Sequence, residues 1–353
     1  MSKSDNFREI ALRKKNVRIK DVAMAAGVST ATISRALSNP DKVSAETLKI
    51  VLSAVEKTGY ILDEAASNFR KQRTGSIVAL LPNIANPYYS AILSGISEAL
   101  ATTSYNLLVV DTSYGQRAED AALQYFNTRR ADGVIVLLGS LSADAIRSAI
   151  GKAGVPPVVQ VGEWPEAPET PRVTIRNKEA AKLAARHLVD LGHRDIGFVS
   201  GHRGNFTTET RLEGVQEVLA EAGLALRNDW ILSGEFSLAS GRAAAQKWLE
   251  MSERPSGVFC DSDEIACGFI GCVTRAGIKV PQQVSVIGFD DIEVGAHIHP
   301  ALTTIHQPRR KIGAAVARMI LDLIEDGEVD TESVVLDVEL IVRDSTAVPP
   351  SIA

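Results

Sequence analysis

Apolar positions between residues 17 and 59 recur at helical intervals in three short bursts. In RIKDVAMAAG, Ile19, Val22, Ala23 and Ala26 share one face, and Gly27 offers the positive-φ stop. In STATISRALS, Ile33, Ala36 and Leu37 make a narrow buried seam, while Thr30, Ala31 and Arg35 point the opposite way. In SAETLKIVLSAVEKTG, Ser44 suits an N-cap, Leu48, Val51, Leu52 and Val55 form the stripe, and Gly59 ends it. Only Val28 and Ser29 separate the first burst from the second. That spacing predicts a helix-turn-helix, whose second helix must be thin on its outer face to enter a major groove. Small side chains permit the approach, and one arginine can pair with guanine through two hydrogen bonds.

The pattern then changes. ILDEAASNFR predicts a short helix from about Glu64 to Arg70, with Asp63 as its expected cap. So few residues cannot hold a helix alone, because nucleation is unfavourable. RKQRTG reads as an exposed basic linker, and residues 1–16 as a polar, aperiodic, disordered tail. From Ser76 onward, continuous apolar runs alternate with amphipathic helices. SIVALLP, NLLVVDT, GVIVLLG, PVVQVG, DIGFVSG, GVFCDSD and VSVIGFDD read as buried parallel strands. PYYSAILSGISEALA and KEAAKLAARHLVDLG, the latter closed by Gly192, read as helices between them. The alternation runs once to about residue 173 and restarts near residue 193. The fold expected is an all-α helix-turn-helix headpiece followed by α/β, as two doubly wound parallel-sheet lobes. The boundaries expected are a tail at 1–16, the head at 17–62, a hinge at 63–74 and an effector-binding and dimerisation domain at 75–353. Within that domain the first lobe takes about 75–173 plus 305–330, and the second about 174–304 plus 331–353.

Charge sharpens this division. The 353-residue chain has a net charge of −5, but residues 1–73 carry 14 Lys and Arg against 8 Asp and Glu, while the remainder carries 24 against 35. A basic head on an acidic body meets a polyanion through the head alone. No apolar run reaches the length of a membrane span, and the first residues lack the apolar segment of a secretory signal. Three cysteines, Cys260, Cys267 and Cys272, fit neither a disulfide framework nor a zinc site and are read as core. These features together predict a cytoplasmic protein.

Candidate chemistry lies where strands end, because doubly wound sheets bind ligands beyond their carboxyl edges. Those ends carry Asn83, Asn86, Asp111, Glu163, Asp261, Ser262, Asp263, Asp290, Asp291 and Gln307. Tyr88, Tyr89, Trp164 and Phe236 offer flat surfaces, and Arg211 offers a grip on hydroxyls, a carboxylate or a phosphate. Strand-end Asp and Asn are equally at home as turn formers or helix caps, so spacing alone leaves each open. Enzyme signatures are weak: no dinucleotide or phosphate loop and no nucleophile elbow occurs, and the HIH run at His297–His299 lacks a third metal ligand. No cofactor is expected.

IKDVAMAAGVSTATISRALSNP, NPYYSAILSGI, HLVDLGHRDIGFVSG with TRLEGV, and VSVIGFDDIEVGAHIHPALTTIHQP together resemble the LacI/GalR family of bacterial transcriptional regulators. The resemblance spans nearly everything after residue 16. It implies a homodimer whose heads read a pseudopalindromic double-stranded operator, and a body of periplasmic-binding-protein type. It places Thr30, Ala31 and Arg35 at bases and Tyr60 at a phosphate. Phe69 falls where the family wedges a leucine between base pairs, and an apolar wedge of either kind can unstack a step. Thr32, Lys42, Ala66 and Arg70 complete the DNA-facing set. Arg211, Phe236, Asp290 and Gln307 match the family's ligand motifs, and Tyr88, Tyr89, Asp111, Glu163, Trp164 and Ser262 are the further effector candidates. Two departures stand out: Ser262 replaces a usual asparagine, and Gly162, next to Glu163, replaces a frequent acid. Both are expected inside the pocket. The function expected is a DNA-binding repressor of a carbohydrate-utilisation operon, controlled by a sugar or sugar acid between the lobes. A solute-binding protein for a sugar transporter, a metabolic enzyme, and a regulator acting with a corepressor such as a nucleobase are the competing readings. The C-terminal RDSTAVPPSIA has no heptad pattern, which favours a dimer.

Overall fold

The structure is a computed structural model that describes residues 17–38, 40–60, 73–113, 116–127, 130–137, 154–163, 169–327 and 333–350, with positions 141, 144 and 148. It divides into two compact units, residues 1–72 and 73–353. The expected disordered tail and hinge helix lie outside the described residues.

The first unit holds α1 (Ile19–Ala26), α2 (Thr30–Ser38) and α3 (Ala45–Thr58), with a 3-10 turn at Pro40–Lys42. Gly27 and Gly59 both take φ 67°, ending α1 and α3 as expected. Ser29 Oγ accepts from Thr32 N at 3.1 Å and Ser44 Oγ from Thr47 N at 3.2 Å, so both later helices are capped by a serine. Val22, Ala23, Ile33, Ala36, Val51 and Ala54 form one small core. Leu52, expected in the α3 stripe, is 52% exposed; Ala54 takes the inward place, because the seam drifts with the 3.6-residue turn.

The second unit contains two six-stranded sheets. In chain order its elements are β1 (Ser76–Leu81), α4 (Pro87–Leu100), β2 (Asn106–Asp111), α5 (Gln116–Asn127), β3 (Gly133–Leu137), β4 (Val158–Val161), β5 (Arg172–Ile175), α6 (Asn177–Asp190), β6 (Ile196–Ser200), α7 (Phe206–Glu221), β7 (Ile231–Ser233), α8 (Leu238–Glu250), β8 (Gly257–Cys260), α9 (Asp263–Arg275), β9 (Ser285–Asp290), α10 (Glu293–His297), β10 (Thr303–His306), α11 (Arg309–Glu325), β11 (Ser333–Leu336) and β12 (Glu339–Ile341). The first sheet runs β11-β5-β4-β3-β1-β2 and the second β12-β10-β9-β8-β6-β7. Every pairing is parallel except β10 with β12. The chain therefore crosses between the lobes after β5, after β10 and after β11.

Three expectations need correction. Residues 333–336 pair parallel with β5 in the first lobe, so the final return to the second lobe falls after Leu336 rather than near 331. Likewise β10 still belongs to the second sheet through His306. NLLVVDT is not buried on both faces: β2 is an edge strand, and Leu108 and Val109 are 40% and 38% exposed. A run of apolar residues looks alike in a central strand and in an edge strand. Five short strands, β5, β7, β10, β11 and β12, do not stand out as apolar runs, being too brief or too polar.

Each lobe is tightened by glycines at helix crossings. On the first, a Cβ at Gly95 would overlap the Arg310 carbonyl, and one at Gly313 the Ile92 carbonyl. On the second, Gly241 and Gly268 are pressed in the same way by the carbonyls of Ile265 and Leu238. Among the described residues, no helix is long and apolar enough to cross a membrane.

Candidate nucleic-acid interface and ligand cleft

In the head, Thr30, Ala31 and Arg35 are exposed on α2, opposite the buried Ile33 and Ala36. Thr32 is only half-buried, and its hydroxyl lies 2.8 Å from Ser29 Oγ, which ties it into the cap. Lys42 is exposed at the end of the 3-10 turn, and Tyr60 packs against the head core. Arg18, Lys20, Lys49 and Lys57 are exposed as well, so the excess positive charge of the head is at its surface. Ala66, Phe69 and Arg70 lie outside the described residues.

The body holds a cavity of about 430 Å³ at the carboxyl ends of both sheets, within the ~300–1,000 Å³ usual for small-molecule sites. Six of the ten effector candidates meet there, Tyr88, Tyr89, Arg211, Phe236, Asp290 and Gln307, with the strand-end residues Asn86 and Asp261 beside them. Arg211, on α7, is only 6% exposed. Its Nε donates to Asn177 Oδ1 at 3.0 Å, and its Nη1 to Asp261 O at 2.8 Å and Asp261 Oδ1 at 3.1 Å. Its guanidinium carbon lies 3.5 Å from the centre of the Phe289 ring. Asp261 Oδ2 also accepts from Thr208 Oγ1 at 2.8 Å and Gly201 N at 3.2 Å. Burial pushes the Asp261 carboxyl up, against the pull of Arg211 and those hydrogen bonds.

Asp290 ends β9 with φ 118°, a backbone setting a non-glycine residue seldom adopts, and Asp291 follows at φ 57°. Gln307 Nε2 donates to Asp290 Oδ1 at 2.7 Å, and the Tyr88 hydroxyl to Gln307 Oε1 at 3.4 Å. Burial pushes the Asp290 carboxyl up to about 7, although Arg211 and Arg309 pull it down. Asp291 has the opposite fate: its burial is outweighed by hydrogen bonds from Arg343 (2.6 Å) and His306 (2.9 Å), which hold it below the usual range. The Phe236 ring rests directly on Gly201, where any Cβ would overlap it. Asn86 bridges the lobes, accepting from Tyr88 N at 2.8 Å and donating to Phe236 O at 3.4 Å.

Three expected residues sit elsewhere. Asp111 accepts from Ile84 N at 2.9 Å and Ser113 N at 2.7 Å, fixing the loop after β1. Ser262 caps α9, accepting from Ile265 N at 3.3 Å, and does not line the cavity, so only the Gly162 departure falls in the pocket. Glu163 is half-buried beside that lining glycine, and burial raises its carboxyl despite Arg172. Trp164 lies outside the described residues. Asn177, Asn205 and Thr207 also line the cavity and are absent from the residues the sequence singles out. Thr207 precedes Arg211 by four residues on α7, so helical spacing alone would have carried it to the same face.

These two sites have clear relatives. A model of bacterial regulatory proteins of the lacI family matches residues 18–63, and one of a periplasmic binding protein-like domain matches residues 185–346. The HTH-type transcriptional repressor CytR of Escherichia coli (strain K12) is 36% identical over 332 residues, 94% of this chain and 97% of its own. The chain belongs to the LacI family. It is a DNA-binding transcriptional repressor with an effector domain, of a non-enzymatic family that works in the cytoplasm, and the enzyme and transporter readings fall. The HTH-type transcriptional repressor PurR of Photobacterium profundum is 32% identical over 328 residues, 93% of this chain and 98% of its own. Among solved structures, the lac repressor dimer bound to operator and the anti-inducer ONPF matches with TM-score 0.82 and 25% identity, over 94% of this chain and 100% of that one. The transcriptional regulator CelR–cellobiose complex matches with TM-score 0.71 and 28% identity, over 93% and 99%.

Proposed function

We propose that this repressor controls carbohydrate-utilisation genes and responds to a hydroxyl-bearing, sugar-type effector held between the two lobes. The observation that carries the reading is the buried Arg211–Asp261 pair beside Asp290, set at a cleft into which both donors and acceptors open. Such a set matches hydroxyl groups, which both give and accept hydrogen bonds. Cellobiose in one matched structure and ribose in another, from Enterococcus faecium, support the class.

In this reading Thr30, Ala31 and Arg35 meet base edges, with Lys42 and Tyr60 at the backbone. Two chains act together on a pseudopalindromic operator. The exposed apolar edge of β2, with Leu108 and Val109, supports a dimer, as does the dimeric lac repressor structure. On DNA the segments expected at residues 63–70 of the two chains pair, with Phe69 as the wedge. Effector binding changes the lobe orientation and thereby that pairing, with a coupling of about 1–3 kcal/mol.

Quantitative footprinting on the operator, with and without effector, tests the scheme. Arg35→Ala should cost about 1–3 kcal/mol on specific operator while leaving effector affinity unchanged. Operator affinity that does not move in Arg35→Ala removes this side chain from the base contacts. Operator affinity insensitive to every ligand that stabilises the body breaks the proposed control, and the direction of the shift separates induction from corepression.

A further inference from the structure

Away from the cleft, the interior of the first lobe holds a polar side chain among apolar ones. Gln160 stands on β4, with Val136 of β3 and Arg172 of β5 as its register partners. Side chains alternate along a strand, and register neighbours in a parallel sheet share a face. Val134, Val136 and Val158 all face the core that Ala122 and Phe126 of α5 complete, so Gln160 points into that core. It is 2% exposed, yet neither its amide oxygen nor its amide nitrogen has a hydrogen-bond partner among the described residues. Thr170 is 4% exposed, and its hydroxyl is equally without a partner there.

These two residues meet at one seam. Gln160 N donates to Pro171 O at 2.8 Å, and Pro171 directly follows Thr170. Buried polar groups are satisfied in nearly every native protein, by other protein groups or by ordered water. The open set comprises an acceptor, an NH2 donor and a hydroxyl that can do either. A water molecule gives and accepts hydrogen bonds, and about three bonds are what a buried water makes. An ion suits the set less well, because a cation would meet the amide hydrogens and an anion the amide oxygen.

The seam is also the most thinly matched in its sheet. β4 and β5 pair at two positions, Gln160 with Arg172 and Val161 with Val173, against four between β3 and β4. Just beyond it, Val161, Gly162, Val173 and Thr174 line the cleft. We propose that Gln160 and Thr170 hold one internal water molecule per chain, and that this water joins β4 to β5 on the face covered by α5. It braces the strand pair on which the first-lobe side of the cleft rests.

Magnetic relaxation dispersion of the water nuclei, on the full-length protein, counts waters held longer than the molecule takes to tumble. Gln160→Met and Thr170→Val should each lose one such water per chain, and the double variant the same one and no more. Thr170→Ser keeps the hydroxyl and should lose none. Two waters lost in the double variant would overturn the shared seat, and no loss in either single variant would overturn the site. Urea unfolding gives an independent reading. With the water in place, Gln160→Met takes the bridge from the Thr170 hydroxyl, so its unfolding midpoint should fall. A midpoint that stays or rises would mean that the native amide is dry, which also overturns the site. Should Gln160→Met fail to fold, Thr170→Val against Thr170→Ser decides the count.

Discussion

The two lobes of the body are the same fold built twice. Numbered within each lobe, both sheets have the order 2-1-3-4-5 plus a last strand supplied after a crossing. Both seat a close helix pair on glycines, Gly95 with Gly313 and Gly241 with Gly268. Yet one lobe turns an apolar wall to the cleft and the other a network of acids, amides and one arginine. Backbone topology fixes where a ligand can sit, whereas the side chains at strand ends and in the first turns of helices decide what it is.

The largest perturbation of this contrast is Arg211→Ala. It strips the polar wall of its cation and leaves Asp261 buried and uncompensated, which should lower body stability by about 3–5 kcal/mol. Effector response should vanish as well, while the head keeps its own melting transition. Arg211→Lys keeps the charge but not the fork that serves Asn177 and Asp261 together, so it should recover only part of the stability and none of the response. Calorimetry with an effector titration reads both, and a normal effector affinity in Arg211→Ala would remove the polar wall from the site.

Next in size are Gly95→Ala and Gly241→Ala, one on each lobe. Each inserts a methyl group against a facing backbone carbonyl and should cost about 1–3 kcal/mol in denaturant unfolding. The two losses should be of similar size if the lobes are mechanical equals. A large difference would show that one lobe yields at its helix pair and the other does not.

The smallest expected effect comes from Asp290→Asn. The native carboxyl titrates near pH 7 when folded and in the ordinary carboxylate range when unfolded. Between about pH 4 and pH 7 the folded state therefore holds the extra proton, and this residue makes stability fall as pH rises through that window. Asparagine accepts the same hydrogen bond from Gln307 and tolerates the positive φ. Melting temperatures measured from pH 5 to pH 8 should fall less steeply in the variant, with effector affinity reduced. An unchanged pH slope would place the titration on other groups.

Much of the head is legible in the sequence. Its three helices are ended by glycines or capped by serines, and their burial follows the 3.6-residue period, both local properties. The misplacement of Leu52 shows the margin of that reading, a single step around the helix. In the body, the long apolar strands are equally plain, but β2 reads as an interior strand because burial depends on what lies beside it. Asp111 and Ser262 illustrate the harder problem. Each stands at a strand end like Asp290, and each is a helix or loop cap facing away from the cleft.

The order of chain units, the basic outer face of α2 and the two rounds of strand and helix follow from the sequence, because each rests on periodicity and charge within a short stretch. The meeting of Arg211, Asp261, Asn177 and Asp290 does not, since these residues are up to 113 positions apart in the chain and are joined only by the packing of the second sheet and its helices. Which polar atoms were left open was settled by packing alone: a hydrogen bond is satisfied or not according to what the fold brings within about 3.5 Å of it.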